Sequence, residues 1–447
     1  MVREHDNISN NLSNSTSYNN EDHLPSGEGT RAAWTWVPSL SFADGLPLVI
    51  LMTVSLIFYK QMGLSNTAVT FYTSWMYLPW ILKPIWSPFI DLVKTKRWWV
   101  LLTEILLGAA FGGVAFTIPT SFWFQGTLFF FWVAAFTGAS HCVAADGFYL
   151  LALNERQQAW FMGIRQMADR LATIFGQGIL VMVAGNLQVI FRGSISYSWS
   201  LTFYGLAGVF LALWLWHSRT LPHARDDRQH PLVSARAILS GFVLTFRTFL
   251  RKKGIIQALC FIMLFRFSEA LLSKVSPLFL IDAPHNGGLG LAPQEYGLVQ
   301  GTVGMIGVII GSIIGGFAVS KGGLHKWLFP MVLAYSLPPV IYLALAYWLP
   351  DSLMLVSVSV FIEQCSTGFG LTAYMMFLIY YNRGEFRTSH YAIASALMTL
   401  SLMIPGLMAG SLEEALGYRR FFFLSLILIA VTWGVAAIVR TKEQEEI

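Results

Sequence analysis

Charged side chains are scarce in this chain: Asp, Glu, Lys and Arg make up only 12% of its 447 residues. An ordinary soluble domain carries about 25% charged residues. Hydrophobic residues reach 55% of the chain, so the chain is more apolar than an ordinary water-soluble domain. We therefore expect a protein of the lipid bilayer and not a soluble one.

Cysteine is also scarce, because the chain has only Cys142, Cys260 and Cys365. All three fall in apolar stretches without metal-ligand spacing, so neither a disulfide framework nor a zinc site is predicted. Signals for catalysis are equally few. His141 is a lone histidine on an apolar stretch, and there is no Gly-rich phosphate motif and no nucleophile with a partner at readable spacing. We expect no enzyme activity, no metal and no cofactor.

Twelve apolar stretches are long enough to cross a bilayer as helices, which takes about 20 residues each. They lie near 36–59, 67–90, 98–117, 127–150, 160–185, 198–217, 255–281, 295–320, 326–349, 352–380, 389–412 and 418–440. This pattern predicts an all-α membrane protein of two six-helix bundles, with the following organisation. We expect a disordered cytoplasmic tail (1–35), a first bundle (36–217), a cytoplasmic linker (218–254), a second bundle (255–441) and a short tail (442–447).

Basic residues predict the orientation of these spans. If the N-terminus is cytoplasmic, twenty Lys and Arg residues fall in cytoplasmic segments, against four in outer loops, namely Lys60, Arg192, Arg419 and Arg420. Positively charged loops stay on the cytoplasmic side, so both termini are predicted to lie there. The same excess accounts for the net charge of +5, so we expect no nucleic-acid partner.

Charged residues inside the predicted spans are expensive in hydrocarbon, at roughly 2.5–3.5 kcal/mol each, and are functional candidates for that reason. We expect substrate binding by Lys83, Arg266 and Lys274 and proton coupling by Glu269 and Glu363, with Lys83, Glu269 and Glu363 near the bilayer centre. Toward the cytoplasmic side, a gate is predicted, formed by Asp91, Asp146, Arg165, Asp169 and Arg170. The sequence leaves open the alternative that these charges form permanent structural ion pairs.

Asp91 belongs to a weak internal repeat. Residues 88–98, between the second and third spans, align with residues 317–327 at the corresponding place in the second half. The first copy resembles the short basic loop of the major facilitator superfamily, in which an acid ends one helix and basic residues open the next. The second copy has Ser320 where the first has Asp91. A carboxylate at this depth could cap the start of the eleventh span at Thr388 and Ser389.

Several longer segments resemble the anhydromuropeptide permeases (AmpG-like transporters) and, more distantly, the acetyl-CoA transporters. They are residues 45–48, 83–91, 97–102, 140–146, 265–270, 361–363, 368–372 and 391–397, together with Arg170. The run from Lys83 to Asp91, Lys-x-x-Trp-Ser-Pro-x-x-Asp, is the most specific of them. The chain departs from the family pattern at Cys142, where an acid is usual, and at Glu269, where Asp is usual.

The resemblance implies the major facilitator fold and proton-driven import of anhydro-sugar peptides across the bacterial inner membrane. We accordingly expect an anionic small-molecule substrate, protons and the lipid bilayer as partners, and a monomer. Two alternatives remain at this point. One is a carrier of another bulky anion, such as an acyl-CoA, a peptide or a siderophore, and the other is a membrane-bound sensor or enzyme without transport.

Overall fold

The structure is a computed structural model and describes residues 27–223, 244, 246–382 and 387–443. A few side chains within these ranges, that of Asp91 among them, lie outside the described set. Most of the predicted N-terminal tail, linker residues 224–243 and the last four residues also lie outside it. The described secondary structure is helical throughout, as the composition predicts.

The helices of the first half follow one another with short connections. They are α1 (Gly27–Val49), a π-helical turn (Ile50–Val54), α2 (Ser55–Gln61), α3 (Asn66–Trp75), α4 (Leu78–Leu92), α5 (Lys96–Thr117), α6 (Trp123–Ala152), α7 (Glu155–Thr173), a second π-helical turn (Ile174–Leu180), α8 (Val181–Ile190) and α9 (Ile195–Thr220). Helix α1 begins inside the stretch predicted as a tail. The predicted second span is divided into α3 and α4, and a proline, Pro79, stands at the start of α4, where its missing N–H costs no helical hydrogen bond.

The second half has the same alternation of long helices and short connections. Its helices are α10 (Ile255–Leu264), α11 (Phe267–Ile281), α12 (Pro293–Tyr296), a third π-helical turn (Gly297–Gly304), α13 (Met305–Ala334), α14 (Leu337–Trp348), α15 (Leu353–Tyr381), α16 (Arg387–Leu416) and α17 (Tyr418–Glu443). Each π-helical turn continues a helix that faces the other half, and such turns recur at functional sites.

Ten helical segments among the described residues are long and apolar enough to cross a membrane. One of them, Pro293–Trp348, has 56 residues, which is more than twice a single crossing. It contains Gly323 in a non-helical conformation, with φ of 72° and ψ of 160°, so the chain changes direction there. Helices α3 and α4, which fill the predicted second span, are not among the ten. The number of twelve crossings stays a prediction.

The apolar core is arranged differently at the two ends of the bundle. We call the end that holds Lys60, at the end of α2, the Lys60 side, and the opposite end, which holds Asp146, the Asp146 side. On the Lys60 side, one continuous core joins residues of both halves, including Phe58 and Phe279. Toward the Asp146 side, each half has a core of its own, around Phe148 in the first and Phe261 in the second.

Glycines allow the two halves to approach closely on the Lys60 side. A methyl group added to Gly410 of α16 would overlap the carbonyl of Asn66 in α3, and one added to Gly301 would overlap the backbone of Gly178. Gly178 and Gly301 belong to the second and third π-helical turns. Small residues let helix backbones touch in a bilayer. The fold therefore places a tight seam on the Lys60 side of the central region.

Candidate functional site

A cavity of about 160 Å³ lies between the halves at the middle of the bundle. It is lined by Thr53, Gln177, Glu269, Leu272, Ser273, Ser276, Pro277, Tyr296, Gln300, Met305, Glu363, Gln364 and Thr367. Three of these are glutamines and two are glutamates, whereas Lys and Arg are absent from this lining. The cavity thus offers carboxylates, amides and hydroxyls to a ligand, and it includes both glutamates predicted to couple protons.

Glu269 is held by the arginine three residues before it. Arg266 donates from Nε to Oε2 of Glu269 over 3.0 Å and from Nη2 to Oε1 over 3.2 Å. The spacing of three residues predicted this shared face, and the structure confirms the contact. The side chains of Arg266 and Glu269 are 11% and 15% exposed. A forked pair of this kind is strong, yet an anion that reaches Arg266 could compete with Glu269 for it.

Glu363 has no comparable partner. It is buried in α15, and its Oε2 has no hydrogen-bond partner among the described residues. Its other oxygen, Oε1, accepts a weak hydrogen bond from Thr367 over 3.4 Å. Gln300 Oε1 and the Tyr296 hydroxyl are also buried and unpartnered in the described part of the chain. Buried polar atoms without partners are costly, so this wall of the cavity is suited to a proton and to a hydrogen-bonding ligand.

Lys274, predicted to bind substrate, lies outside the lining of this cavity. Its ammonium group is buried and crosses from the second half to the first, where it donates to the carbonyl of Met52 over 3.3 Å and to Thr73 Oγ1 over 3.2 Å. It also lies 5.2 Å from the ring centroid of Tyr77. Lys274 therefore links the two halves in this conformation.

Lys83, predicted to bind substrate near the bilayer centre, contacts a residue of its own half. Its Nζ is 3.6 Å from Cys142 Sγ, and the thiol of Cys142 lies 3.8 Å from Asp146 Oδ2. Arg266 is instead held by Glu269 in the second half. The two cations thus belong to different charge clusters, and a substrate would have to reach toward both.

Two of the predicted gate residues form an ion pair. Arg165 Nη2 donates to Asp146 Oδ1 over 2.5 Å, and its guanidinium lies 4.4 Å from the ring centroid of Tyr149. Asp146 is 48% exposed. Asp169 is exposed and interacts electrostatically with Arg165 and Arg170. The predicted cap between Asp91 and the start of the eleventh span involves side chains outside the described residues.

The structure also shows an inter-half cluster that the sequence did not predict, which we call the Lys60 lock. It consists of Lys60 and Asn66 from the first half and Asp282, Glu413 and Tyr418 from the second. Lys60 donates to Asn66 Oδ1 over 2.6 Å and to Asp282 Oδ2 over 2.9 Å. Asn66 Nδ2 donates to Glu413 Oε2 over 2.6 Å, and the Tyr418 hydroxyl donates to Asp282 Oδ2 over 2.9 Å. These hydrogen bonds join the two halves and close the bundle on the Lys60 side.

Asp282 follows the last residue of α11 and is ionised in this lock. Burial raises the pKa of its carboxyl group, but hydrogen bonds from Lys60, Asn286 and Tyr418 outweigh burial, and the resulting pKa lies below the ordinary value of 3.8. Hydrogen bonds to the charged form have this effect because they stabilise the carboxylate alone. Asp282 is therefore a fixed negative charge in the lock near neutral pH.

Comparison with known proteins identifies the class to which this arrangement belongs. No protein-family model matches the chain. The anhydromuropeptide permease of Escherichia coli K12 is 25% identical over 404 residues, which cover 87% of this chain and 75% of the permease. A transporter named AmpG 4 from Rickettsia conorii is 22% identical over 415 residues, which cover 90% of this chain and 95% of that protein.

Solved structures agree with this fold. A variant of the nucleoside transporter NupG has a TM-score of 0.65 at 13% identity, covering 90% of this chain and 98% of its own. A bacterial homologue of the human lysosomal transporter Spinster has a TM-score of 0.63 at 16% identity, covering 93% of this chain and 97% of its own. The chain is similar in sequence to the anhydromuropeptide permeases and has the fold of these solved transporters.

These comparisons confirm the predicted fold class and resemblance, and they set aside the enzyme interpretation, because the relatives are named as permeases and transporters. The ten apolar helices and the permease relatives together indicate a multi-pass membrane transporter. In a transporter with two halves, a cavity between the halves and a lock on one side of it are the parts that alternating access needs.

Proposed function

We propose that this transporter imports anhydro-sugar peptides from cell-wall turnover together with protons. It lies in the bacterial inner membrane with both termini in the cytoplasm and acts as a monomer. The observation that carries the proposal is the cavity between the halves, in which Glu363 is buried without a cationic partner and Glu269 is held by Arg266.

Coupling follows from the partners of the two glutamates. An anionic substrate that binds Arg266 displaces Glu269 from it, so that the carboxylate of Glu269 loses its compensating charge in a poorly hydrated place. The free energy of that state falls if the carboxylate takes up a proton. Glu363, already without a cation, favours proton binding for the same reason. Proton and substrate therefore bind together, which is symport.

Alternating access follows from the two ends of the bundle. The Lys60 lock and the shared apolar core close one side, whereas the cores of the two halves are separate toward the other. Under the predicted orientation, the closed side faces outward, and the cavity is reached from the cytoplasm. The opposite state requires the lock to break and charges of the Asp146 side to approach the second half.

Uptake by the purified full-length transporter in liposomes tests the proposal. We expect a radiolabelled anhydromuropeptide to accumulate when an inward proton gradient is imposed, and only to equilibrate after a protonophore is added. Excess unlabelled acyl-CoA, free peptide or ferric siderophore should leave this uptake unchanged. Accumulation of one of these in place of the muropeptide would establish the alternative of another bulky anion.

Orientation and oligomeric state need separate measurements. Cysteines introduced at Asn14 and Asp227, in a background without the native cysteines, should resist a membrane-impermeant thiol reagent in intact cells and react after permeabilisation. Reaction in intact cells would reverse the proposed topology. Light scattering during size-exclusion chromatography should give the mass of one chain, 49.9 kDa, after subtraction of detergent.

A further inference from the structure

A second cavity, of about 270 Å³, lies entirely within the first half, on the Asp146 side. It is lined by Ser41 and Asp44 of α1 and by Met162, Arg165, Gln166 and Asp169 of α7. It shares no lining residue with the cavity between the halves. The mechanism proposed above makes no use of Asp44, although this residue carries a carboxylate into the interior of the bundle.

Among the described acids that line this cavity, Asp44 is the one with a buried carboxylate oxygen that has no partner. Its Oδ1 is buried and has no hydrogen-bond partner among the described residues. The charges nearest to it already have other contacts, because Arg165 binds Asp146 and the ammonium of Lys83 contacts the Cys142 thiol. A buried carboxylate oxygen without a partner is costly while the group is ionised.

The groups that face Asp44 come from every helix around it. Lys83 belongs to α4, Cys142 and Asp146 belong to α6, and Arg165 and Asp169 belong to α7. His217 of α9 contacts Ser39, five residues before Asp44 on α1, and its other ring nitrogen contacts Glu104 of α5. Gly45 adjoins Asp44, and its missing side chain lets the Asp169 carboxylate lie directly against α1. Three carboxylates thus converge where ionisation of all three is opposed by their mutual repulsion.

We propose that Asp44 is a second proton-binding site of the transporter, located in the first half and loaded through this cavity from the Asp146 side. A proton from solution adds to the Asp44 carboxylate and leaves again by the same route, without any change of covalent structure elsewhere. Its protonation removes one negative charge from between Lys83 and Arg165 and so weakens the packing of α1, α4 and α7 around the cluster. The role in the transport cycle rests on the proposed function, whereas the proton binding is a property of the protein alone.

Infrared difference spectroscopy of the purified transporter without substrate tests the proton binding. We expect a carbonyl band of a buried protonated carboxyl group to appear as the pH is lowered from 9 to 5. Asp44→Asn should remove this band, Asp44→Glu should keep it at a shifted frequency, and Asp351→Asn, in an exposed loop, should leave it unchanged. A carbonyl signal that loses no component in Asp44→Asn and shifts in no component in Asp44→Glu, or no titrating signal in the wild type, would overturn the proposal.

A second readout uses thiol chemistry in place of infrared spectroscopy. With Cys260 and Cys365 changed to Ala, Cys142 is the only thiol, and it lies beside Asp44. The pH dependence of its alkylation should differ between Asp44 and Asp44→Glu, because the charge beside the thiol then changes at a different pH. Identical profiles would contradict the proposal. Wild-type protein that shows the Asp44 band but no gradient-driven uptake would refute the proposed function and retain the proton site.

Discussion

Lys60 and Asp282 form an ion pair of 2.9 Å between residues 222 positions apart, one from each half of the transporter. Both side chains are largely buried, at 18% and 10% exposure. A hydrogen bond between charged groups contributes about 1.5–3 kcal/mol. The pair alone could therefore change the ratio of closed to open states on the Lys60 side by about tenfold or more.

The first prediction is that reversing one charge opens this side and restoring the pair closes it. Lys60→Asp places two like charges together, so we expect the transport rate to fall at least tenfold. Asp282→Lys should have the same effect. The double variant Lys60→Asp with Asp282→Lys should recover a substantial part of the rate. Spin labels at the exposed residues Asn186 and His285 should report a longer distance in each single variant than in the double variant. Equal label distances in the two single variants and the double variant would show that the ion pair does not contribute to closure of the Lys60 side.

The second prediction concerns the pH dependence of the lock. The pKa of Asp282 is lower in this conformation than its ordinary value of 3.8, so its stabilising contribution is complete above that value and is lost as the pH falls through the lowered pKa. The melting temperature of Asp282→Asn should thus lie below that of the wild type by a constant amount between pH 6 and 8. The gap should narrow below pH 4. A gap that widens on acidification would contradict the assignment of a lowered pKa.

The third prediction concerns the glycine seam. Gly301→Ala and Gly410→Ala add a methyl group where the backbone of the other half stands, and backbone cannot move aside as a flexible side chain can. We expect a longer distance between labels at Asn186 and His285 and a lower transport rate in each variant. Gly316→Ala, on α13 with open space around the added methyl, is the matched control and should behave as the wild type. Equal effects at all three positions would point to helix propensity and not to the seam.

The fourth prediction concerns a buried pair outside both cavities. His217 Nδ1 and Glu104 Oε1 are 2.5 Å apart, with both side chains fully buried, and His217 Nε2 contacts Ser39. Removing one member of a buried pair typically costs about 3–5 kcal/mol. Glu104→Leu and His217→Leu should each lower the melting temperature in detergent by several degrees, and the double variant should lose less than the sum of the two. Strict additivity would mean that the two side chains are not coupled.

Much of this architecture could be predicted because it depends on local sequence. The length of each apolar stretch determines whether it can cross a bilayer. The spacing of three residues between Arg266 and Glu269 predicts that their side chains lie close together. The midplane position of Glu269 and Glu363 follows from counting along their spans, and the structure places both in one cavity.

The rest depends on contacts between residues far apart in the chain. In the sequence, Lys60 has the pattern of a solvated loop charge, and only the fold brings Asp282 beside it. Likewise, no sequence spacing relates Asn66 to Glu413, which lies 347 positions later. Depth along a span also says nothing about rotation around its axis. Counting along its span places Lys83 near the centre, yet its side chain points to α6 of its own half. Lys274, also predicted to bind substrate, bonds to the first half outside the cavity.

Gradient-driven uptake by Glu363→Gln in liposomes tests the central claim most directly. Glu363 is the buried carboxylate of the cavity without a cationic partner, and its amide counterpart cannot carry a proton while its shape is nearly unchanged. We predict that this variant exchanges labelled anhydromuropeptide across the membrane but does not accumulate it, whereas Asp351→Asn accumulates it as the wild type does. Accumulation by Glu363→Gln equal to that of the wild type would contradict the claim that this cavity couples the proton to the substrate.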